Sequence, residues 1–221
     1  MIHGTLVTRL WIAPFIITLV TLGVARGIAL AATQGLPVNG LPESFLWLGQ
    51  GYILGIPVPA VIFALVSVTV GVFLRKTYVG RQIYAVGGNR EAARLAGVPV
   101  GRRIDITYVV SASLAGLVGP ILTARLSQGQ PGIGVGYELT AITAAVLGGV
   151  SLAGGQGRIV GVVFGAALLG IITNGLVVLN VSPFYQQIVL GCVLGTAVIL
   201  DRLRARRRDR TTGIKTMGET R

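Results

Sequence analysis

The stretch that decides the fold is residues 53–74, which read ILGIPVPAVIFALVSVTVGVFL and contain no charged side chain. The basic pair Arg75-Lys76 follows it directly. As a helix, these 22 residues would extend about 33 Å, which exceeds the hydrocarbon thickness of a bilayer, about 30 Å. A charge-free stretch of this length is typical of a membrane-spanning helix. The sequence therefore predicts an integral membrane protein.

The composition of the whole chain supports this prediction. Hydrophobic residues make up 52% of the 221 residues, and charged residues only 12%. A soluble domain has about 25% charged residues, so this chain has too little polar surface to cover a water-soluble globule. Its mean hydropathy is +0.78. The composition excludes an ordinary soluble enzyme, although the net charge of +12 needs a separate explanation.

Further apolar stretches predict an all-α fold, a polytopic membrane helix bundle with about six transmembrane helices. One stretch, 139–153, is short for a span, so five spans plus a re-entrant segment is the alternative. We expect one transmembrane domain over residues 1–203 and a disordered basic tail over residues 204–221. The predicted spans are residues 10–32, 53–74, 106–124, 139–153, 159–180 and 185–200.

The positions of the basic residues explain the net charge. In the six-span arrangement, 17 of the 19 Lys and Arg residues lie on one side of the membrane. They occupy the loop 75–105, the tail after residue 200, Arg9 and Arg158. Basic loops remain cytoplasmic, so both termini are predicted to be cytoplasmic. A five-span arrangement would divide the two main basic clusters between opposite sides.

Several kinds of chemistry are excluded by the residues themselves. Cys192 is the only cysteine and His3 the only histidine, so neither an internal disulfide nor a Cys/His zinc site is expected. The glycine-rich stretch 148–158 fails the phosphate-loop pattern, because Gly155 and Gln156 stand where Lys and Ser or Thr are required. We expect no catalytic residue, no metal and no cofactor, and therefore no enzyme.

Polar side chains inside the predicted spans are few. Arg26 is the only charged one, and snorkelling to the interface or a structural partner is its simpler explanation. A position near a transport path is the alternative. Thr173, Asn174 and Gln186 suit contact with a neutral, hydroxyl-rich solute, although hydrogen bonds between helices explain them as well. These four residues form the candidate translocation path. The lack of acidic residues within the spans argues against a proton-driven carrier.

Glycines four residues apart predict close helix packing. Gly157, Gly161 and Gly165 would lie on one face of a helix, and small side chains there let two backbones approach. Packing without any further role is the simpler interpretation. The pattern is typical of a multi-helix bundle or a dimer.

The most informative loop residues are 80–103, which read GRQIYAVGGNREAARLAGVPVGRR. Residues 89–96 are compatible with a helix, because Asn89 can cap it, Glu91 falls in the first turn and Gly97 can end it. A short capped helix in a basic cytoplasmic loop is a suitable docking element.

With this loop, the sequence resembles the membrane permease subunit of ABC importers for monosaccharides of the ribose, xylose and arabinose type. Its Glu91-Ala92-Ala93-x-x-x-Gly97 is similar to the EAA-x-x-x-G motif of importer permeases. The resemblance implies an ATPase-coupling loop formed by Gly80, Arg81, Gly87, Asn89, Glu91, Ala92, Ala93 and Gly97. Further matches are Pro14-Phe15, Arg26-Gly27, Gly148-Gly149, Asn174-Gly175, Ser182-Pro183-Phe184 and Asp201-Arg202.

The resemblance also implies a function and its partners. The chain would form the translocation path of an ABC-type sugar importer in the bacterial inner membrane. Its partners would be a cytoplasmic ABC ATPase subunit, a second permease subunit in a homo- or heterodimer, a periplasmic or lipid-anchored sugar-binding protein, and membrane lipid. A secondary carrier or channel-like protein without an ATPase partner is the alternative. The arginines after residue 201 are interpreted as a topology signal that contacts anionic lipid, and nucleic acid is not an expected partner.

The resemblance runs from about residue 4 to residue 203 and matches the C-terminal two-thirds of the family. Family members have further spans before the Pro14-Phe15 segment. We therefore expect either a truncated product or a second polypeptide that supplies the remaining spans. No signal peptide is recognised near Met1, and if Met1 is the true start, the first span is expected to act as an uncleaved insertion signal.

Overall fold

The structure is a computed structural model that describes residues 14–199. The predicted basic tail, Arg9 and His3 lie outside the described residues. The chain forms two compact units, Met1–Val135 and Gly136–Arg221, and each is considered by itself.

The first unit contains helices and one small hairpin. Its elements are α1 (Pro14–Thr33), α2 (Glu43–Gln50), β1 (Tyr52–Ile53), β2 (Ile56–Pro57), α3 (Val58–Lys76), α4 (Tyr78–Gly88), α5 (Arg90–Leu95) and α6 (Val100–Leu126). The second unit contains α7 (Tyr137–Leu147), α8 (Ile159–Val178) and α9 (Pro183–Ile199).

Four helices among the described residues are long and apolar enough to cross a membrane: α1, α3, α6 and α8. They confirm the predicted fold class, a polytopic membrane helix bundle. The count of six spans and the cytoplasmic placement of both termini stay predictions. Helix α7 has 11 residues and extends about 16 Å, roughly half of a bilayer core. The re-entrant alternative for residues 139–153 therefore stays open.

Large apolar side chains on these helices point outward, as expected for contact with lipid. Leu65 on α3 and Phe164 on α8 are largely exposed. Four of the nine buried apolar residues in the described part of the chain are alanines, among them Ala93, Ala124 and Ala144. Small residues at the contacts let helices pack closely where lipid provides no hydrophobic driving force between them.

The helix expected over residues 53–74 begins later than its apolar stretch, at Val58. Residues 52–57 form an antiparallel hairpin in which Tyr52 pairs with Pro57 and Ile53 pairs with Ile56. Pro57 contributes to this difference, because the residue before a proline is disfavoured in helical geometry. The remaining 19 residues of α3 still extend about 28 Å, close to the thickness of a bilayer core.

Helix α2 is attached to the end of α6. The side-chain amide of Gln50 donates to the carbonyl oxygens of Ala124 and Arg125, at 3.1 and 3.2 Å, and to the Ser127 hydroxyl at 2.8 Å. A Cβ on Gly49 would collide with the backbone of Arg125. Glycine is therefore required here for the two helices to approach, and the loop between α1 and α3 is fixed to α6.

Helices α7 and α8 are in direct backbone contact through glycine. A Cβ on Gly148 would lie 2.5 Å from the carbonyl carbon of Gly161, and a Cβ on Gly165 would lie 2.8 Å from the Gly148 nitrogen. The predicted close packing is confirmed for Gly161 and Gly165. Gly157 was wrongly included in this helix face, because it precedes α8 and faces Val150 in the connecting turn.

Candidate functional site

The predicted coupling loop 75–105 is largely helical, because α4 and α5 occupy most of it. Thr77 caps α4 by accepting a hydrogen bond from the Gly80 N–H at 3.0 Å. Gly80 is buried, and a Cβ there would lie 2.6 Å from the Leu74 Cα and carbonyl carbon. Only glycine fits this corner, which reverses the chain directly after the long helix α3.

Helix α5 is defined at both ends by local hydrogen bonds. The Asn89 side chain accepts from the Ala92 N–H at 3.0 Å and forms the N-cap. At the other end, the N–H groups of Gly97 and Val98 donate to the carbonyls of Arg94 and Ala93, both at 3.0 Å. This pair of bonds is a Schellman motif, and Gly97 has the required positive φ of 78°. The predicted capped helix is confirmed.

A partly buried hydrogen bond joins α4 to the start of α6. The Gln82 side chain is only 7% exposed, and its Oε1 accepts from the Arg103 Nε at 2.6 Å. Sequence analysis missed this pair. Its one signal in the sequence is a polar residue close to Ile83 and Val86, which does not reveal a partner 21 residues away.

The outer face of α5 is exposed. Glu91 and Arg94 form an ion pair at 2.7 Å with both side chains more than half exposed. Ala93 is buried and faces the protein, whereas Leu95 is 80% exposed. The helix therefore presents an apolar side chain within a polar, mostly basic surface. A partner protein with an apolar pocket would find a small, rigid contact here.

The remaining residues of the predicted coupling loop lie at the surface. Arg81 is exposed, and its Nη1 lies 3.4 Å from the carbonyl oxygen of Lys76. Gly87 and Ala92 are also exposed. The structure thus brings the eight predicted residues together in α4, α5 and the two adjoining turns. Their role in coupling stays a prediction.

The residues of the candidate translocation path are divided between the two units. Arg26 belongs to the first unit and is partly exposed. In the second unit, the Thr173 hydroxyl donates to the Leu169 carbonyl at 2.6 Å and the Gln186 amide donates to the Val181 carbonyl at 2.8 Å. Asn174 is exposed. These four residues stay a predicted path.

An open, largely apolar groove that sequence analysis did not identify lies between α1 and α6. Its volume is about 510 Å³. Hydroxyl side chains are prominent in its lining and come from Thr18, Thr21, Tyr108, Ser111 and Ser113. Their spacing along two distant helices gave no signal in the sequence. Within residues 14–199 no group of three or more His, Cys, Asp or Glu side chains is placed to hold a metal ion.

Four apolar helices of membrane-spanning length among the described residues define a multi-pass membrane protein. The sequence profile of the family described as branched-chain amino acid transport system / permease component matches residues 1–198. The chain belongs to this permease family. Membership confirms the expected location in the bacterial inner membrane.

Curated relatives of the chain are sugar permeases. It is similar to the ribose import permease protein RbsC of Bacillus subtilis strain 168, with 48% identity over 202 residues, which cover 90% of this chain and 63% of that protein. The corresponding protein of Escherichia coli K12 is 46% identical over 90% of this chain and 64% of its own length. The L-arabinose transport system permease protein AraH of E. coli K12 is 44% identical over 91% of this chain and 61% of its own length.

These matches confirm the resemblance to monosaccharide permeases that the motifs indicated. The relatives are transport proteins, which fits the expectation of a non-enzyme. The chain spans about 63% of the length of the first of these relatives. No solved structure matches the chain.

Proposed function

We propose that the chain is part of the membrane permease of an ABC importer for a monosaccharide. The observation that carries this proposal is 48% identity to a ribose import permease over 90% of the chain. In this function the protein makes or breaks no bond in the solute. Its work is to form the path and to change the side of the membrane to which the path opens.

The proposed partners follow from this function. A cytoplasmic ABC ATPase supplies the driving force, a second permease subunit completes the membrane domain, and a periplasmic or lipid-anchored binding protein delivers the sugar. With both termini cytoplasmic, the segment from α4 to the start of α6 faces the ATPase. Membrane lipid surrounds the long helices.

Helix α5 is the proposed coupling element. Its N-cap at Asn89 and its Schellman motif at Gly97 fix both ends, so a force applied to α5 moves it as a unit. The Gln82–Arg103 hydrogen bond ties α4 to the beginning of α6, a helix of 27 residues. Movement of α5 is therefore passed to a membrane-spanning helix. Leu95 is the proposed apolar contact with the ATPase.

The proposed sugar path uses neutral polar side chains. Thr173, Asn174 and Gln186 carry amide or hydroxyl groups that can exchange hydrogen bonds with sugar hydroxyls. The hydroxyl-lined groove between α1 and α6 offers the same chemistry in the first unit. Arg26 is proposed to stand beside this path.

Co-purification with the cognate ABC ATPase tests the proposal. Gly97→Asp, and separately deletion of residues 89–97, should abolish ATPase association while membrane insertion persists. Asp at position 97 must adopt a positive φ that it tolerates less well than glycine, and its negative charge lies at the C-terminal end of α5, where the helix dipole disfavours it. Gly40→Asp is the matched control, since Gly40 also has a positive φ and open space around it but lies in the predicted extracytoplasmic loop.

Wild-type recovery of the ATPase with both the Gly97→Asp variant and the deletion would contradict the role of α5. Sugar uptake by membrane vesicles distinguishes the function from its alternative. For an importer, sugar uptake requires ATP on the side of the vesicle membrane where the ATPase lies. A secondary carrier or channel-like protein would transport without ATP, and a carrier would follow an ion gradient.

A further inference from the structure

The hairpin that precedes α3 presents apolar side chains to its surroundings. Leu54, at the tip, is 99% exposed, so no described residue covers it. Tyr52 and Ile56 on the two strands, and Trp47 on α2, are each more than half exposed. Tyr52 pairs with Pro57 and Ile56 pairs with Ile53, so Tyr52 and Ile56 extend from opposite faces of the hairpin. The four side chains thus give both faces and the tip an apolar exterior, here named the hairpin patch.

The tip of the hairpin has an unfavourable backbone for its residue type. Leu54 and Gly55 have φ values of 51° and 81°, as in a type I′ turn. Asn-Gly is the favoured pair in such a turn, because Asn tolerates the left-handed conformation. Leucine has neither glycine's freedom nor a polar group that compensates. Leu54 therefore costs conformational energy and gains no contact within the described residues, which points to an apolar environment outside the chain.

The hairpin patch is held rigidly. The Gly51 N–H donates to the Trp47 carbonyl at 2.8 Å, and the Val58 N–H donates to the Gly51 carbonyl at 2.9 Å. A Cβ on Gly51 would lie 2.6 Å from the Trp47 indole, so the ring is close against the hairpin backbone. Gln50 fastens α2 to the end of α6. The exposed side chains thus belong to a fixed surface and not to a loose loop.

Three observations favour lipid as the partner of this surface. Strand β2 continues directly into α3, whose length of about 28 Å matches a bilayer core, so the hairpin begins where that core ends. Residues 44–74 contain no charged side chain, unlike the polar rim of a typical protein interface. Trp47 and Tyr52 are of the two residue types enriched at the membrane–water interface.

We propose that the hairpin patch is a membrane-interface anchor that binds phospholipid. Leu54 inserts among the upper acyl-chain segments of the leaflet at this end of α3, and Trp47 and Tyr52 lie at the level of the headgroups. Such an anchor fixes the depth and tilt of α3, which packing against neighbours alone sets less firmly.

Quenching of Trp47 fluorescence by brominated phospholipids tests the proposal. The full chain carries Trp11→Phe, which leaves Trp47 as the single tryptophan, and is placed in phosphatidylcholine nanodiscs. Bromines near the headgroup end of the acyl chains should quench strongly, and bromines near the chain ends weakly. Aqueous iodide should quench little.

Leu54→Asn is the decisive variant, because Asn suits the turn while it removes the apolar side chain. It should keep or raise the melting temperature in detergent and yet lose most of the quenching by shallow bromines. Leu95→Asn, the same change at another exposed leucine, should leave the quenching unchanged. Two results overturn the proposal. Strong iodide quenching with little bromolipid quenching would mean that the patch faces water. Protection of Trp47 from both quenchers would mean that protein covers it.

Discussion

The contact between α7 and α8 gives the sharpest prediction of stability. Gly161 faces the carbonyl of Gly148, and a methyl group on Gly161 would overlap the oxygen of that carbonyl. This atom belongs to the backbone, so it cannot turn aside as a flexible side chain would. Gly161→Ala must therefore push the two helices apart. Gly170→Ala is the matched control, because Gly170 lies in the same helix with open space around it.

The expected magnitude follows from comparing these two variants. Ala gains about 1 kcal/mol of helix propensity over Gly at position 170 in the helix interior and no more than this at position 161 in the first turn, so propensity does not reduce the expected difference. Overpacking a close contact costs roughly 1–3 kcal/mol, and a rigid backbone neighbour favours the upper end. A difference of about 3 kcal/mol corresponds to roughly 6–12 °C in melting temperature for a chain of this size.

Thermal unfolding of both purified variants in the same detergent measures this difference. Size-exclusion profiles after heating to a series of temperatures report the fraction that remains folded. Gly161→Ala should melt well below wild type, and Gly170→Ala at or above it. Melting temperatures of the two variants within about 2 °C of each other would show that the helices separate at little cost, and the inferred backbone contact would be refuted.

Three further predictions concern α5 and its support. Asn89→Ala removes the hydrogen bond from the Ala92 N–H and should destabilise α5 by about 1 kcal/mol. This cost should lower ATPase affinity about fivefold in a titration. Asn89→Asp should retain the cap and the affinity. Gln82→Leu leaves the Arg103 Nε without its acceptor. A hydrogen bond to a charged group contributes about 1.5–3 kcal/mol, so this variant should lower the melting temperature by several degrees. Gln82→Glu keeps an acceptor for Arg103 and should not lower it. Leu95→Ala should reduce ATPase co-purification without changing the melting temperature, because Leu95 is exposed. A lower melting temperature that accompanies the loss of co-purification would contradict a contact role.

The candidate site was predictable wherever its determinants are local. The cap at Asn89 and the stop at Gly97 depend on hydrogen bonds that span at most five residues, so residue types at fixed spacing were sufficient. The Gln82–Arg103 bond joins two helices, and the spacing of its partners carries no signal. The start of α3 was also missed, because leucine is an unusual residue for the turn at Leu54-Gly55.

A polytopic membrane protein with a capped helix in a basic loop could be predicted from the residues alone. Composition, charge-free length and cap residues act locally or additively, so they can be read without knowing the fold. Three-dimensional packing was needed to show that Gly161 and Gly165, and not Gly157, meet α7, and that Leu54 is uncovered at the tip of a hairpin. Those outcomes depend on where each helix begins and how it is rotated against its neighbour, which is set by contacts between residues distant in the chain.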